Sequence, residues 1–172
     1  MKNSVTIFLT ISIITIIFFS VILPETKIFG RPVWHTPKKI IDYELDGEET
    51  NQQIFDIYSF SHTTHGIILY FLLQYLGFLQ SQIFYLAVTL EILWEIFENT
   101  PYVINKYRKT FTKYKGDSIV NIIGDVIFTV LGLYLTHLSP QIAVIYAIVA
   151  ELILYPYGAN FLYLSVGSLL NK

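Results

Sequence analysis

Two histidines and a group of carboxylates lie at the ends of apolar segments of this sequence, where they could bind a metal or move a proton. His62 and His65 are three residues apart in "SFSHTTHGIILYF", where a polar stretch becomes an apolar run. An ionised side chain at the centre of a membrane helix costs about 2.5 to 3.5 kcal/mol, so such acids need a partner. Six acids lie within or at the ends of apolar segments, none of which contains Lys or Arg: Glu91, Glu95, Glu98, Asp117, Asp125 and Glu151.

The spacing of these acids predicts two polar stripes on neighbouring helices. The three glutamates of "LEILWEIFENTP" stand at i, i+4 and i+7, on one face of a helix that ends before Pro101. In "GDSIVNIIGD", Asp117, Asn121 and Asp125 stand at i, i+4 and i+8, where the next helix begins. Both stripes face the same connecting loop, so we expect them to meet at one end of a helical bundle.

Imidazoles and carboxylates together form a ligand set that suits zinc, manganese or iron. We therefore predict a divalent metal held by His62, His65, Glu98 and Asp117, although neither HExxH nor the paired Glu-x-x-His of di-iron bundles is present. The same cluster could work without a metal, with a histidine and a carboxylate as base and acid. The reaction class stays open.

The predicted substrate is an amphiphile, either a lipid or a lipid-linked molecule, bound at the membrane surface. The candidate catalytic residues are His62, His65, Glu95, Glu98 and Asp117. We assign substrate binding to Asn121, Asp125 and Arg108, the last because a cation near the surface attracts an anionic headgroup.

Other interpretations of these residues remain open. The His62 and His65 pair could be a polar helix start, and Asn121 could join two helices through a hydrogen bond of about 0.6 kcal/mol. A carrier in which Glu91, Asp125 and Glu151 conduct protons or cations is the main alternative function. A membrane assembly factor without turnover is another. His137, alone at a helix end before Pro140, is a polar cap.

Composition predicts an integral membrane protein. Of the 172 residues, 53% are hydrophobic and 14% are charged, against about a quarter charged in soluble domains. The formal net charge of -2 gives no basic excess for nucleic acid, so we predict the lipid bilayer as partner and no nucleic acid. The absence of cysteine excludes disulfides, thiolate metal sites and a cysteine nucleophile.

The predicted fold is an all-α membrane bundle in one domain, residues 1–172, with about five transmembrane helices and a short C-terminal apolar segment. Each apolar stretch approaches the roughly 20 residues needed to cross a bilayer. We interpret the first as a retained helix, since "SVILPETK" lacks the small residues of a signal cleavage site. The spans are 5–23, 62–79, 82–98, 118–138 and 141–155, with polar loops at 24–61 and 99–117.

The lysines and arginines predict the orientation of the bundle in the cell (inner) membrane. The two long loops carry nine of them and the short hairpins near Gln80 and Pro140 carry none. The positive-inside rule then places both long loops in the cytoplasm and the N-terminus outside. Because two helices separate the loops, we expect them to share one face.

Several segments resemble an uncharacterised family of bacterial multi-pass membrane proteins that carries a UPF label. They include "SFSHTTHGIILY", "LEILWEIFENTPYVINKYR" and "GDSIVNIIGD", and the resemblance covers most of the chain from Gly30 onward. It implies a membrane protein and brings no activity. More distantly, the order of histidine, glutamate and acidic helix resembles the VanZ-like proteins, but Ser59 to Ser61 stand where those have an aspartate-lysine pair.

Overall fold

The protein is mostly helical in a computed structural model, which describes residues 40–47, 49–114 and 116–164. The predicted span 5–23 and the first part of the predicted loop 24–61 lie outside these residues. Two short strands and five helices follow in chain order: β1 (Ile41–Asp42), β2 (Phe55–Asp56), α1 (Ser59–Tyr75), α2 (Gln80–Glu98), α3 (Pro101–Tyr107), α4 (Ile119–Leu138) and α5 (Pro140–Leu154).

The four long helices lie where the apolar segments predict helices, with shifted ends. Helix α1 begins at Ser59 rather than His62, because the Asp56 carboxylate accepts hydrogen bonds from the backbone N–H groups of Tyr58 and Ser59. Helix α4 begins after Ser118, whose hydroxyl oxygen accepts from the Asn121 N–H as an N-cap. Pro140 opens α5 at the first helical position, where its missing N–H costs nothing.

The two connecting loops contain ordered structure that apolar periodicity does not show. Strands β1 and β2 pair in parallel, with Ile41 opposite Phe55. In the second loop, Pro101 opens the seven-residue helix α3. Gln52 Nε2 donates to the Gly116 carbonyl, and the Ser118 hydroxyl donates to the Gln52 carbonyl. The two loops therefore meet at one end of the helices.

The closest helix packing joins α1 to α4. A Cβ added at Gly66 would lie 2.1 Å from the Thr129 carbonyl oxygen, and one added at Gly132 would lie 2.1 Å from the Thr63 carbonyl oxygen. These reciprocal contacts leave room only for hydrogen at both glycines. Toward the far end, Leu69, Leu73 and Leu133 pack in an apolar core with residues of α2. The backbones of α1 and α4 are thus held together next to the two histidines.

After α5 the chain turns away from the helix axis. Tyr155–Tyr157 form a 3-10 turn that ends at Gly158 with φ of +66°, a left-handed conformation that glycine adopts without strain. A further helical turn begins at residues 161–164, the limit of the described chain. The apolar tail predicted to follow the last span starts here.

Among the described residues, two helices are long and apolar enough to cross a membrane: Ile119–Leu138, with mean hydropathy 1.9, and Pro140–Tyr157, with mean hydropathy 1.4.

Candidate functional site

Glu91 lies between the two histidines predicted as ligands. Its side chain is 0% exposed. His62 Nδ1 lies 2.8 Å from Glu91 Oε1, and His65 Nδ1 lies 2.6 Å from Glu91 Oε2. The Thr129 hydroxyl donates to Glu91 Oε1 at 2.7 Å. One buried carboxylate of α2 therefore orients two imidazoles of α1, and a threonine of α4 holds the carboxylate.

Two further carboxylates approach His62 without comparable partners. Glu95 Oε1 lies 3.6 Å from His62 Nδ1, and Asp125 Oδ2 lies 3.8 Å from His62 Nε2. Each residue is 2% exposed. Within the described part of the chain, neither Glu95 oxygen has a hydrogen-bond partner, and neither does Asp125 Oδ1. A buried carboxylate oxygen without a donor is costly, so these atoms call for a proton or a cation.

The structure brings two groups of metal-ligating atoms together. His62, His65 and Glu91 form one group, and His62, Glu95 and Asp125 form the other; the ligand atoms of each lie within 4.8 Å of one another. Ligand atoms around a tetrahedral zinc ion are separated by about 3.4 Å, given bond lengths near 2.1 Å. The separations within each group exceed that value by at most about 1.4 Å.

Glu98 and Asp117, predicted as metal ligands with the histidines, lie outside both groups of ligand atoms but border the same site. Both line a cavity of about 30 Å³ beside His62 and Asp125, with room for roughly two water molecules. Asp117 is buried and fully engaged: it accepts from Asn99 Nδ2 at 2.7 Å and from the Tyr114 hydroxyl at 3.1 Å. Glu98 also borders a second, 20 Å³ cavity beside His65 and Trp94.

Asn121 and Asp56 tie the first loop to α4. Asn121 Nδ2 donates to the Gln53 carbonyl at 2.9 Å and to Asp56 Oδ2 at 3.0 Å. Both contacts are buried, and they join α4 to the first loop rather than to another helix. Its Oδ1 has no partner among the residues described.

Arg108 and Glu151 lie outside this cluster. Arg108 Nε donates to the Tyr114 carbonyl at 2.7 Å, within its own loop. Glu151 accepts from Asn160 Nδ2 at 2.9 Å and from the Phe161 N–H at 2.8 Å, which orders the turn after α5. The Phe161 ring in turn packs 5.2 Å from the His65 ring, so Glu151 borders the site through its neighbour.

Burial shifts the titration of the loop residues next to the site. It raises the pKa of Asp56 to about 6, against an opposing effect of His62. Burial also raises the pKa of Asp117, although hydrogen bonds from Asn99 and Tyr114 oppose this. The Tyr114 hydroxyl has a raised pKa because it is buried and next to Asp117. These carboxyls hold their protons more strongly than in water.

Sequence reasoning left three residues out of the proposed site. The sequence places Glu91 in the glutamate stripe and in a possible conduction path, but not among the predicted catalytic, substrate-binding or metal residues, although it lies one turn before Glu95. Thr129 lies four residues after Asp125, on the same face of α4, but a threonine in an apolar helix carries no signal by itself. Asp56 lies in the loop, and its contact with Asn121 joins residues 65 apart.

Known proteins similar to this chain come from alphaproteobacteria and have no assigned activity. A UPF0314 protein of Sphingopyxis alaskensis is 38% identical over 51% of this chain and 49% of its own length. UPF0314 proteins of Sinorhizobium fredii and Rhizobium meliloti are 38% and 39% identical, over 66% and 59% of this chain and 60% and 54% of theirs. The chain thus aligns with about half to three fifths of these relatives.

A family model that matches most of the chain shows which family the protein belongs to. No solved structure is significantly similar to the chain. The distant resemblance to VanZ-like proteins finds no support in these comparisons, whereas the resemblance to a UPF family is confirmed. The family model described as "Protein of unknown function (DUF2585)" matches residues 27–170, which is most of the sequence. The chain therefore belongs to the DUF2585 family.

Proposed function

We propose that the protein is a multi-pass membrane protein that binds a divalent transition-metal ion through His62, Glu95 and Asp125. The observation that carries this proposal is the approach of two buried carboxylates to one imidazole. Neither Glu95 oxygen has a hydrogen-bond donor among the described residues, and neither does Asp125 Oδ1. Imidazole and carboxylate ligands suit zinc, manganese and iron(II) better than calcium, which takes oxygen ligands. Glu91 is a poorer ligand, because Thr129 and His62 already contact its Oε1 and His65 Nδ1 lies 2.6 Å from its Oε2, although that oxygen too has no hydrogen-bond donor among the described residues.

The membrane part of the proposal rests on the apolar surface of the helices. Only 17% of the Pro140–Tyr157 segment is buried in the protein. Large apolar side chains of α5 such as Ile145, Ile148 and Leu152 are more than half exposed. A contiguous apolar surface of this kind is stable only against lipid or another apolar partner. A bundle of five spans, with the metal site at its loop-rich face, accommodates this surface and the apolar segment 5–23.

The bound metal would act on an amphiphile at the membrane face. A metal ion with an open coordination position activates a bound water or polarises a substrate oxygen. Here the open position would face the cavity that His62 and Asp125 border. Glu91 would hold the His62 ring through Nδ1, which leaves Nε2, the nitrogen nearer Asp125, for the metal.

Metal analysis of the purified full-length chain tests the proposal. After removal of bound metals and reloading with Zn²⁺ or Mn²⁺, we expect about one ion per chain, held with roughly 10- to 100-fold lower affinity in Glu95→Gln. Glu44→Gln is the matched control, since Glu44 is an exposed acid outside both ligand groups. Equal metal binding by wild type and Glu95→Gln would exclude this site. Comparing cellular lipids with and without the protein then tests the amphiphile.

A metal-free site is the second candidate, and the 2.8 Å contact between His62 Nδ1 and Glu91 supports it. A carboxylate that accepts from Nδ1 leaves Nε2 free to act as a general base toward the cavity. In that case full activity persists after removal of metal, and Glu91→Gln lowers turnover while metal content stays near zero.

A further inference from the structure

We propose that the cavity next to His62 binds a positively charged ammonium group of the substrate. This inference rests on the proposed function, because it names the substrate class of that same site. It differs from the expectation that Arg108 attracts an anionic headgroup. Arg108 directs Nε at the Tyr114 carbonyl and Nη1 at Asn105, and it does not line the cavity.

The charged groups that line the cavity are the first reason to expect a cationic ligand. Four carboxyl groups line the cavity, from Asp46, Glu98, Asp117 and Asp125, together with the single imidazole of His62. No lysine or arginine of the described ranges lines it. Asp125 is 2% exposed, borders the cavity and has an oxygen with no donor among the described side chains. An anionic group would meet repulsion here, whereas a cation would supply the missing donor.

The hydrogen-bonding capacity of the cavity's tyrosines is the second argument. Each tyrosine hydroxyl has one proton, and each gives it to the protein. Tyr58 donates to the Leu45 carbonyl at 2.9 Å, Tyr107 to the Leu164 carbonyl at 3.3 Å, and Tyr114 to Asp117 at 3.1 Å. Towards a ligand these hydroxyls can therefore only accept.

The other neutral polar side chains of the cavity, Thr50 and Asn51, each commit a donor to the protein, and Asn51 keeps a second amide N–H. The Thr50 hydroxyl donates to the Glu44 carbonyl at 3.0 Å while accepting from the Gly47 N–H at 2.7 Å. Asn51 hydrogen-bonds with Asp117 through its side chain. The cavity thus offers acceptors and aromatic rings and few donors. An alkylammonium group, with three N–H donors and no acceptor, matches it; a phosphate, which needs donors, does not.

Size and aromatic content agree with this ligand. A cavity of about 30 Å³ admits an ammonium group and the carbon that bears it, but not a whole sugar ring or headgroup. The rings of Tyr107 and Tyr114 lie 5.6 Å apart on its wall. A cation within about 6 Å of an aromatic ring gains attraction from the ring face. The rest of the molecule would extend from the opening toward the membrane surface.

Ligand binding to the full-length wild-type protein in detergent micelles tests the inference by saturation-transfer NMR. The probes are ethanolamine, the ammonium part of an amino lipid, and glucosamine, an amino sugar of lipid-linked saccharides. Their neutral counterparts are ethylene glycol and N-acetylglucosamine, and inorganic phosphate is the anionic probe. We expect at least one ammonium probe to bind at least tenfold more tightly than its neutral counterpart, and phosphate not to bind. Binding of ethanolamine alone assigns a headgroup, and binding of glucosamine alone assigns an amino sugar.

Variants separate the aromatic and acidic contributions. Tyr107→Leu removes the ring and the hydroxyl acceptor and should weaken ammonium binding about three- to fivefold, whereas Tyr107→Phe keeps the ring and should weaken binding less than Tyr107→Leu does. Glu98→Gln removes a charge and should weaken binding about tenfold, and the exposed control Glu44→Gln should leave it unchanged. Equal binding of ammonium and neutral probes, or binding of phosphate, overturns the inference.

The metal content of the same samples keeps this result apart from the proposed metal site. Protein that holds metal but prefers no ammonium probe refutes the substrate class alone. Protein that binds ammonium but no metal refutes the metal site and leaves the substrate class standing.

Discussion

Gly132→Ala is expected to destabilise the protein although it replaces a helical glycine by the best helix former. The substitution alone favours the helix by about 1 kcal/mol. The new Cβ, however, would lie 2.1 Å from the Thr63 carbonyl oxygen, a backbone atom that cannot rotate away. Helices α1 and α4 must then separate by about 1 Å, and overpacking of this kind costs about 1 to 3 kcal/mol.

The same separation acts on the site. Thr129 lies three residues before Gly132, and its single hydroxyl proton is shared between Glu91 at 2.7 Å and the His62 carbonyl at 3.1 Å. Moving α4 by 1 Å would break at least one of these hydrogen bonds, at a further cost of about 1 kcal/mol. The net expectation is a loss of about 2 kcal/mol, or roughly 4 to 8 °C in the melting temperature of a chain of this size.

Thermal unfolding in detergent micelles, followed by circular dichroism, measures this loss. The control is Leu131→Ala, the neighbouring residue of α4, whose side chain is 48% exposed. A change there should be within about 0.5 kcal/mol. If Gly132→Ala is as stable as wild type, the close approach of α1 and α4 is not a constraint on the fold, and the account of how the site is positioned is wrong.

Three further predictions concern single polar contacts. Thr129→Val should lower the free energy of unfolding by about 1 to 2 kcal/mol, because it removes the donor to Glu91. Thr136→Val is the control and should cost less, because the Thr136 hydroxyl donates to the Gly132 carbonyl of its own helix. Asp46→Ala should speed deuterium exchange of the Thr112 and Lys113 amides with little change in global stability. These two amides donate to Asp46 at 3.1 and 2.8 Å. Unchanged exchange rates would contradict this prediction. The third prediction concerns pH, because the fold raises the pKa of Asp56 to about 6 and its protonated form therefore favours the folded state. The stability that this group contributes is present below about pH 4 and is lost as the pH rises through 6. Asp56→Asn should remove that part of the slope between pH 4 and 6, and an identical slope in chemical unfolding would refute the shift.

The helices were predictable because their signals are local. Apolar runs bounded by Pro101, Pro140 and the polar loops place the long helices within a few residues of their observed ends. Helix α3 and the pairing of β1 with β2 were missed, since seven- and two-residue elements in a polar loop leave no periodic pattern.

The location of the candidate site was predictable, but which of its side chains contact one another was predictable only in part. The spacing of Glu91, Glu95 and Asp125 indicates that they share helix faces, but not how far each helix rotates about its axis. Glu91 and Glu98 share one face of α2, so which of them meets the histidines also depends on the height of α2 along α1, and it is Glu91 that contacts both. The hydrogen bonds of the cavity's tyrosines likewise depend on backbone carbonyls distant in sequence.

The contacts between the two loops also determine when the site can form during synthesis. His62, Glu91 and Glu95 emerge from the ribosome well before Asp125 and Thr129, so the early chain carries histidines and acids without the residues that satisfy them. The bonds from Gln52 to Gly116 and from Asn121 to Gln53 span 64 and 68 residues and close only after the start of α4 is made. Such long-range closures are slow relative to helix formation. A nascent chain halted before α4 would thus expose an incomplete polar cluster, which makes this intermediate the natural point for quality control to act.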